Sequence, residues 1–281
     1  MGGAMSSGAG GGRKWTVAVD TGGTFTDVVC VGPRGLGVLK LPSTPDDPAR
    51  AVLEGVRRAL AAAGFDDARD AFILVHGSTV ATNALLERRG ARVALVTNRG
   101  FEDVIEIGRQ NRPRLYALVG ERPPPLVAAA DRHGVAGRVG PDGAEEAALD
   151  AVELEALPGR IDPEVGAVAV CLLHSYARPD HERRVGAALA SLGVPVTLSC
   201  ELLPEYREYE RTATTVVNAY VVPLMDHYLG RLEAEAGAAR VRIMGSGGGT
   251  VPVGRARREA VHTVLSGPAG GVMGALAAAR A

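Results

Sequence analysis

The stretch "VAVDTGGTFTDVVCV", from Val17 to Val31, decides the fold of this chain. Apolar residues recur on both sides of a Gly-Gly pair, which predicts two β-strands joined by a tight turn. A plain hairpin needs nothing beyond Asp-Gly or Gly-Gly at its turn. This turn carries additional oxygen-bearing side chains, which belong to Asp20, Thr21, Thr24, Thr26 and Asp27. It therefore holds more hydrogen-bonding chemistry than a chain reversal requires.

The glycines and threonines of this turn suit an anion. Gly22 and Gly23 are able to take positive φ, and they leave their backbone N–H groups free of side-chain cover. Such bare N–H groups form a concavity that accepts phosphate oxygens. The hydroxyls of Thr24 and Thr26 add further donors. We therefore predict that the turn binds phosphate groups.

The two carboxylates of the turn suit a divalent cation. Asp20 falls at the carboxyl end of the first strand, and Asp27 lies in the second. Either one can hold a hydrated Mg²⁺ or orient an attacking group, because Mg²⁺ prefers oxygen ligands. The competing interpretation is a decorated hairpin whose polar residues only satisfy the turn. Asp-Gly-Gly alone favours that interpretation, whereas Asp-x-Gly-Gly-Thr-x-Thr-Asp between two apolar strands favours phosphate binding.

Composition excludes several classes of protein. The chain has 281 residues, 46% of them apolar, and a formal net charge of −1, so we expect neither nucleic acid nor a membrane surface as its partner. The three cysteines are far apart and lack metal-ligand spacing, which predicts reduced thiols in a cytoplasmic protein. Residues 1–13 have no apolar segment typical of a signal peptide and predict a flexible tail.

Strands and helices alternate along the rest of the chain, which predicts an α/β fold. A helix is predicted over Pro48–Ala63, because proline suits a first helical turn. The segment "STVATNALLERRG" predicts another helix, closed by Gly90 at its C-terminus. Residues 108–163 are rich in proline and glycine and predict an inserted loop region or a small subdomain. Pro223 predicts a kink or a break in a long helix over residues 206–237.

Six segments in order resemble the hydantoinase/oxoprolinase family, and in particular the N-terminal part of hydantoinase A-type subunits. They are "VDTGGTFTD", "HGSTVATNALLERRGARVALVT", "GFEDVIEIGRQNRPRLYAL", "LLHSYARPDHE", "EYERTATTVVNAYVVP" and "LSGPAGGVMGA". Any one of them can arise by chance, whereas all six in this order are highly specific. The resemblance implies an actin-like ATPase (ribonuclease H-like) lobe with a mixed sheet, followed by the beginning of a second lobe.

The same resemblance implies an ATP-dependent hydrolase of cyclic amides such as hydantoins or 5-oxoproline, with ketone carboxylase subunits as close relatives. In this family ATP phosphorylates an unreactive carbonyl oxygen, and positioning and charge neutralisation supply much of the catalysis. On this hypothesis Asp20 and Asp27 are catalytic, and Asp20 binds Mg²⁺. The residues expected to hold the phosphates of ATP are Thr21, Gly22, Gly23, Thr24 and Thr26.

Other residues are candidates for the substrate. His76, Thr79 and Asn83 lie near the end of a predicted strand, where open α/β sheets bind ligands. A helix cap with an exposed polar stripe is the competing interpretation. Arg109 is a candidate because arginine forks suit carboxylates and phosphates.

Two further features are open to more than one interpretation. In "SGPAGG" the bare N–H groups of Gly267 and Gly270 precede a predicted helix, which suits an anion, although a simple turn is an equally good interpretation. His174 and His181 are predicted to be ordinary structural or surface histidines, because no partner spacing supports a metal site.

The resemblance divides the chain into a disordered tail (residues 1–14), the family's N-terminal domain (15–203) and the start of a hydantoinase A-type domain (204–281). Family members continue into a second Asp-Gly-Gly-Thr loop that closes the nucleotide cleft. We therefore expect a fragment or one half of a split protein, inactive alone, whose partner is the missing C-terminal half or a hydantoinase B-type subunit. A non-catalytic lobe that binds a partner subunit and a small-molecule kinase of the same superfold remain as alternatives.

Overall fold

The structure is a computed structural model, and it describes residues 14–111, 114, 116, 123–237 and 240–280. The tail predicted over residues 1–13 lies outside the described residues. The strands in chain order are β1 (Lys14–Thr21), β2 (Phe25–Gly32), β3 (Gly35–Pro42), β4 (Ala71–Ser78), β5 (Val93–Asn98), β6 (Arg132–Val135), β7 (Arg138–Val139), β8 (Glu145–Ala147), β9 (Ala167–Val170), β10 (Val196–Leu198), β11 (Arg240–Met244) and β12 (Thr250–Pro252). The helices are α1 (Pro48–Ala63), α2 (Val80–Leu86), α3 (Val104–Ile107), α4 (Ala151–Arg160), α5 (Asp180–Leu189), α6 (Ser199–Leu202), α7 (Glu208–Glu235), α8 (Val253–Arg258) and α9 (Ser266–Arg280).

The chain divides into two compact units. Unit 1 contains residues 1–80, 228–256 and 262–281, and unit 2 contains residues 81–227 and 257–261. The domain boundary placed near residue 203 concerns the sequence family and stays a prediction. Each unit has its own main sheet.

Unit 1 is built on a six-stranded sheet in the order β12-β11-β4-β1-β2-β3. β1 pairs antiparallel with β2 and parallel with β4, so the predicted α/β fold with a mixed sheet is confirmed. Alternate residues of the hairpin, among them Val17, Val19 and Val28, are buried and form one face of the core. Helix α1 packs on the hairpin strands and β3. It approaches them closely at Gly55, where an added Cβ would lie 2.7 Å from Val28 Cγ2.

An aromatic cluster closes one end of the unit 1 core. Trp15 lies 2% exposed at the start of β1, and its ring meets Phe65 edge-on at a centroid distance of 5.5 Å. Phe65 in turn meets Phe72 of β4 at 5.6 Å. Edge-to-face pairs of this kind contribute about 1 kcal/mol beyond the area they bury. The chain's one tryptophan therefore reports on the folding of unit 1.

Unit 2 is built on a four-stranded parallel sheet in the order β10-β9-β5-β6. Every residue of β5 and β9 is buried, as expected for central strands of a parallel sheet that is covered on both faces. α4 and α5 cover part of this core through Leu157, Val185 and Leu189. A two-stranded sheet of β7 and β8 completes the unit.

Three local predictions differ from the structure. α2 ends at Leu86 rather than at Gly90, because Arg88 takes the left-handed conformation with φ of 54°. Gly90 instead leaves room for an aromatic ring, since an added Cβ would lie 2.2 Å from the Tyr220 ring. α7 continues through Pro223, so the predicted break is wrong, whereas the alternative of a kink stays a prediction. The region predicted as an insertion supplies β6 to the parallel sheet of unit 2.

No helix within the described ranges has the length and apolar character that a membrane span needs.

Candidate functional site

The turn between β1 and β2 presents unpaired backbone N–H groups. Gly22 donates its N–H to the carbonyl of Phe25 at 3.0 Å, so this group is used inside the turn. The N–H groups of Gly23 and Thr24 have no hydrogen-bond partner among the described residues. Neither glycine takes positive φ, so the glycines do not serve the backbone conformation that the sequence suggested. Gly23 instead provides open space, because an added Cβ would find no atom within 4 Å.

Ser43, which follows β3, holds the β1–β2 turn in place through hydrogen bonds. Its hydroxyl donates to the carbonyl of Gly22 at 2.8 Å and lies 2.9 Å from the hydroxyl of Thr26. Its N–H donates to the carbonyl of Thr24 at 2.9 Å. Thr26 is fully buried, so its hydroxyl braces the turn, and the predicted contact between Thr26 and a phosphate stays a prediction. Sequence reasoning missed Ser43, because nothing in its local pattern ties it to the turn.

Asp20 and Asp27 lie directly opposite each other on the hairpin. Asp27 accepts hydrogen bonds from Lys40 Nζ at 2.8 and 3.1 Å, and both of these side chains are about half exposed. Asp20 lies beside Gly77 of β4, where an added Cβ would come within 3.1 Å of Asp20 Oδ1. Burial, and then the neighbouring charge of Asp27, raise the pKa of Asp20. The pair is therefore asymmetric: a lysine compensates one acid, and the other has no cation to balance it among the described residues.

His76 is buried beneath the hairpin in a fixed tautomer. Its Nδ1 donates to the carbonyl of Val19 at 3.1 Å, since a carbonyl oxygen only accepts. Its Nε2 therefore accepts from the hydroxyl of Tyr228 in α7 at 2.6 Å. Burial lowers the pKa of His76 to about 4, so the imidazole is neutral at pH 7. His76 thus connects the strand that carries Asp20 to α7, and the substrate contact predicted for it stays a prediction.

Thr21 and Thr79 lie at the carboxyl ends of β1 and β4. The hydroxyl of Thr79 donates to the carbonyl of Thr21 at 3.2 Å, which ties the end of β1 to the start of α2. The hydroxyl of Thr21 is buried and finds no partner within the part of the chain that the structure describes. An orphaned buried hydroxyl of this kind costs about 1–3 kcal/mol and calls for an explanation.

The "SGPAGG" segment forms the first turns of α9 rather than a turn before it. α9 begins at Ser266, whose hydroxyl lies 3.4 Å from the carbonyl of Ser78. The first N–H groups of a helix have no partner within it, so Gly267 is at a position that suits an anion. Gly270 lies a full turn inside the helix, where backbone N–H groups bond to the preceding turn.

The described side chains contain no group of three or more histidine, cysteine or acidic residues arranged to hold a metal. Mg²⁺ bound together with a nucleotide needs fewer protein ligands, because one or two carboxylates, water molecules and phosphate oxygens usually complete its coordination. Asp20, which has no cation partner among the described residues, fits that role. Asp27 fits it less well, since Lys40 already compensates its charge.

Two of the predicted substrate residues belong to unit 2. Asn83 lies in α2 and is partly buried. Arg109 donates from Nε to Glu210 Oε1 at 2.8 Å and lines an open cavity of about 840 Å³. Arg109 holds the pKa of Glu210 below its usual range. The guanidinium therefore already has a carboxylate partner, and its predicted role toward a substrate stays a prediction.

Comparison with known proteins decides the family. The sequence profile of the hydantoinase/oxoprolinase N-terminal region matches residues 16–193, and the hydantoinase/oxoprolinase profile matches residues 211–281. The chain belongs to the hydantoinase/oxoprolinase family. The predicted resemblance is confirmed, and in this family the hairpin from Val17 to Val31 lies within the N-terminal region.

Individual family members agree with this assignment. The chain is 36% identical over 298 residues to 5-oxoprolinase 1 of Arabidopsis thaliana, covering 93% of this chain and 23% of that protein. The nucleotide-free structure of acetone carboxylase, from work on ATP-dependent acetone carboxylation, superposes with a TM-score of 0.83 and 27% identity over 94% of this chain and 40% of that one. The ATP-dependent caprolactamase of Pseudomonas jessenii gives a TM-score of 0.76 and 33% identity over 90% of this chain and 39% of that one. The hydantoinase/oxoprolinase chain described here thus spans less than half the length of each.

Proposed function

We propose that this chain carries the phosphate-binding part of an ATP-dependent enzyme that hydrolyses a cyclic amide of the hydantoin, 5-oxoproline or lactam type. One observation carries the proposal: the unpaired N–H groups of Gly23 and Thr24 belong to the same hairpin as the exposed carboxylate of Asp20, which has a raised pKa. Donors and an oxygen ligand in one turn suit a phosphate chain with its Mg²⁺. The comparison with an ATP-dependent caprolactamase supports the same class of reaction.

The chemistry divides one difficult step into two. The amide carbonyl oxygen attacks the γ-phosphorus of ATP, ADP leaves, and the phosphorylated carbon becomes open to water. Water then adds to that carbon, and the ring C–N bond opens with a proton delivered to nitrogen, which leaves an acyl phosphate. A second water releases phosphate from it and leaves the carboxylate. The residues of this chain contribute positioning and charge balance, which supply most of the catalysis in phosphoryl transfer.

Each residue of the hairpin has a defined part in this proposal. The N–H groups of Gly23 and Thr24 would hold phosphate oxygens, and Asp20 would bind the hydrated Mg²⁺. Asp27 and Lys40 would set the local charge around Asp20. Ser43 keeps the turn in one conformation, so no loop ordering has to accompany nucleotide binding.

ATP-dependent ketone carboxylation is a second candidate. The likeness to acetone carboxylase, with a TM-score of 0.83, favours it directly. Both reactions require the same first event, the phosphorylation of a carbonyl oxygen, and they differ in whether water or a carboxyl donor completes the reaction. A further subunit of the hydantoinase B type and a cytoplasmic location belong to the proposal in either case.

A binding experiment tests the part that this chain supplies. The full chain is titrated with Mg·ATP and Mg·ADP by calorimetry, for the wild type and for Asp20→Asn. We expect Asp20→Asn to weaken binding at least tenfold, equivalent to about 1.4 kcal/mol, and EDTA to weaken the wild type similarly. The matched control is Asp46→Asn, which removes an exposed carboxylate that forms an ion pair with Arg50 on α1. Equal affinities for wild type and Asp20→Asn, or no nucleotide binding by the wild type, contradict the proposal.

A further inference from the structure

The parallel sheet of unit 2 has a topological switch point. β5 and β9 are adjacent and parallel. The chain leaves β5 and returns at β6 on one side, whereas it leaves β9 and returns at β10 on the other. The loops after β5 and β9 therefore diverge, and a crevice opens between them. In open α/β sheets, ligands bind in such a crevice at the carboxyl ends of the strands.

A cavity of about 330 Å³ lies at this position. Phe101 lines it from the loop after β5 and Val104 from the start of α3, while Leu173 and His174 line it from the loop after β9. The volume falls at the lower end of the range for small-molecule sites, and three of these four side chains are apolar. This cavity suits a compact ligand with an apolar body.

His174 supplies a polar atom to this cavity from a strained backbone. Its φ is 56°, a left-handed conformation that costs a non-glycine residue about 1 kcal/mol or more. Its Nδ1 lies 2.7 Å from the carbonyl of Val139 and therefore donates to it. That hydrogen bond fixes the tautomer and leaves Nε2 as an acceptor with no partner among the described residues.

Buried polar groups hold this backbone in place on both sides of Leu173. Glu182, fully buried, accepts the N–H of Leu172 at 2.7 Å, and Arg211 donates to the carbonyl of Leu172 at 2.7 Å. The amide oxygen of Asn98 accepts the N–H of Leu173 at 2.7 Å. Burying charged groups costs free energy, and so does a left-handed backbone at a non-glycine residue. A buried network that holds such a residue in place therefore indicates that the position of His174 serves a function.

The charged residues of the cavity are balanced. Arg138 lines it and stacks on the Phe101 ring, with 5.5 Å between its guanidinium carbon and the ring centre. Glu208, at the start of α7, lines it with the opposite charge. One cation and one anion favour a neutral ligand with its own donor and acceptor over a simple anion.

We propose that this cavity binds a neutral cyclic amide, with the ring N–H donating to His174 Nε2 and the carbonyl oxygen accepting from Arg138. A cyclic amide is cis, so its N–H and C=O lie on the same edge of the ring and match an adjacent acceptor and donor. Its methylene groups would pack on Phe101, Val104 and Leu173. The inference rests on the proposed function and extends it, because it assigns the amide a site in unit 2.

The test compares 2-pyrrolidinone with N-methyl-2-pyrrolidinone, which lacks the N–H. The full chain, without nucleotide, is titrated with each compound and followed by protein NMR. We expect 2-pyrrolidinone to bind about five- to tenfold tighter, the effect of one hydrogen bond, with shifts at Phe101 and His174. Equal binding of the two compounds, shifts confined to other regions, or no binding of either compound overturns the inference.

Two variants test the named atoms. His174→Asn keeps a residue that tolerates left-handed φ, and it should remove the preference for the N–H compound. Arg138→Gln should weaken both compounds, because both retain the carbonyl. The matched control is Arg183→Gln, an exposed arginine of α5 that does not line the cavity. A preference that survives in His174→Asn overturns the inference.

The inference and the proposed function fail separately. The pyrrolidinone titration contains no nucleotide, so its result does not depend on nucleotide binding at the hairpin. Absence of nucleotide binding with intact pyrrolidinone binding therefore refutes the proposed phosphate site and leaves this inference standing. Intact nucleotide binding with equal affinity for the two pyrrolidinones refutes this inference and leaves the phosphate site standing.

Discussion

The buried contact between His76 and Tyr228 predicts a specific pH dependence of stability. In the folded chain the imidazole is fully buried, and burial lowers its pKa from 6.5 to about 4. Between pH 6.5 and pH 4, His76 is therefore protonated in the unfolded chain and neutral in the folded chain. The stabilisation contributed by neutral His76 is complete above pH 6.5 and is lost as the pH falls toward 4.

The size of the effect follows from the pKa difference. A change from 6.5 to about 4 corresponds to about 3 kcal/mol of unfolding free energy, at 1.36 kcal/mol for each pKa unit. His76→Asn removes the titrating group while keeping an N–H donor near the carbonyl of Val19. It removes the hydrogen bond between Nε2 of His76 and the hydroxyl of Tyr228, which costs about 1 kcal/mol at pH 7. The variant should therefore be less stable than the wild type at pH 7 and should lose that disadvantage by pH 4.

The assay is urea denaturation at pH 7, 6, 5 and 4, followed by the fluorescence of Trp15 in unit 1. The matched control is His227→Asn, one residue before Tyr228, which removes an exposed imidazole without touching the buried pair. The wild type should lose about 3 kcal/mol relative to His76→Asn between pH 7 and pH 4. Parallel curves for wild type and His76→Asn across this range would refute a neutral, buried His76.

Three further predictions concern the hairpin and the core of unit 2. Asp20→Asn should stabilise the folded chain at neutral pH by a few tenths of a kcal/mol, because the folded state raises the pKa of Asp20; the gain should vanish below about pH 4, and thermal melts at pH 7 and pH 3 check it. Ser43→Ala should cost about 1–3 kcal/mol by orphaning the buried hydroxyl of Thr26, and a midpoint in urea equal to wild type would contradict this. Glu182→Gln should cost about 3 kcal/mol, since Glu182 accepts hydrogen bonds from two backbone N–H groups and Ser199 in a buried site; an unchanged melting temperature is the opposing result.

Local patterns in the sequence were enough for the elements that position the hairpin. The apolar alternation from Val17 to Val31 predicted β1 and β2, and proline at the start of a helix predicted α1 with its observed bounds. Both depend on neighbouring residues alone, so a single sequence contains the information. The mixed sheet came from the family resemblance rather than from these patterns.

Contacts between residues far apart in the sequence could not be predicted from local patterns. The hydrogen bond between His76 and Tyr228 joins residues 152 positions apart, and Ser43 acts on a turn 21 positions before it. Glycine is typical of a helix C-cap, but position 90 requires glycine because the Tyr220 ring of α7 leaves no room for a side chain. No local pattern distinguishes a glycine needed for a turn from one needed for a distant side chain.

His174 shows a signal that the sequence did carry. It follows the buried run from Ala167 to Leu173, which begins with β9, and open α/β sheets bind ligands at the carboxyl ends of such strands. The interpretation as an ordinary histidine rested on the lack of metal-ligand spacing, which tests only for metals. Its left-handed backbone and its hydrogen bond to Val139 became visible only in three dimensions.

The open surroundings of Gly23 separate two kinds of selection that normally act together. Larger side chains at this position meet no neighbouring atom within 4 Å of the added Cβ, so folding alone does not demand glycine there. Consider a library with every amino acid at position 23, selected separately for soluble expression and for binding to immobilised nucleotide. We expect selection for expression to retain most amino acids, and selection for nucleotide binding to retain few. Any restriction on the amino acid at this position then comes from the ligand that the turn binds and not from the folding of the chain.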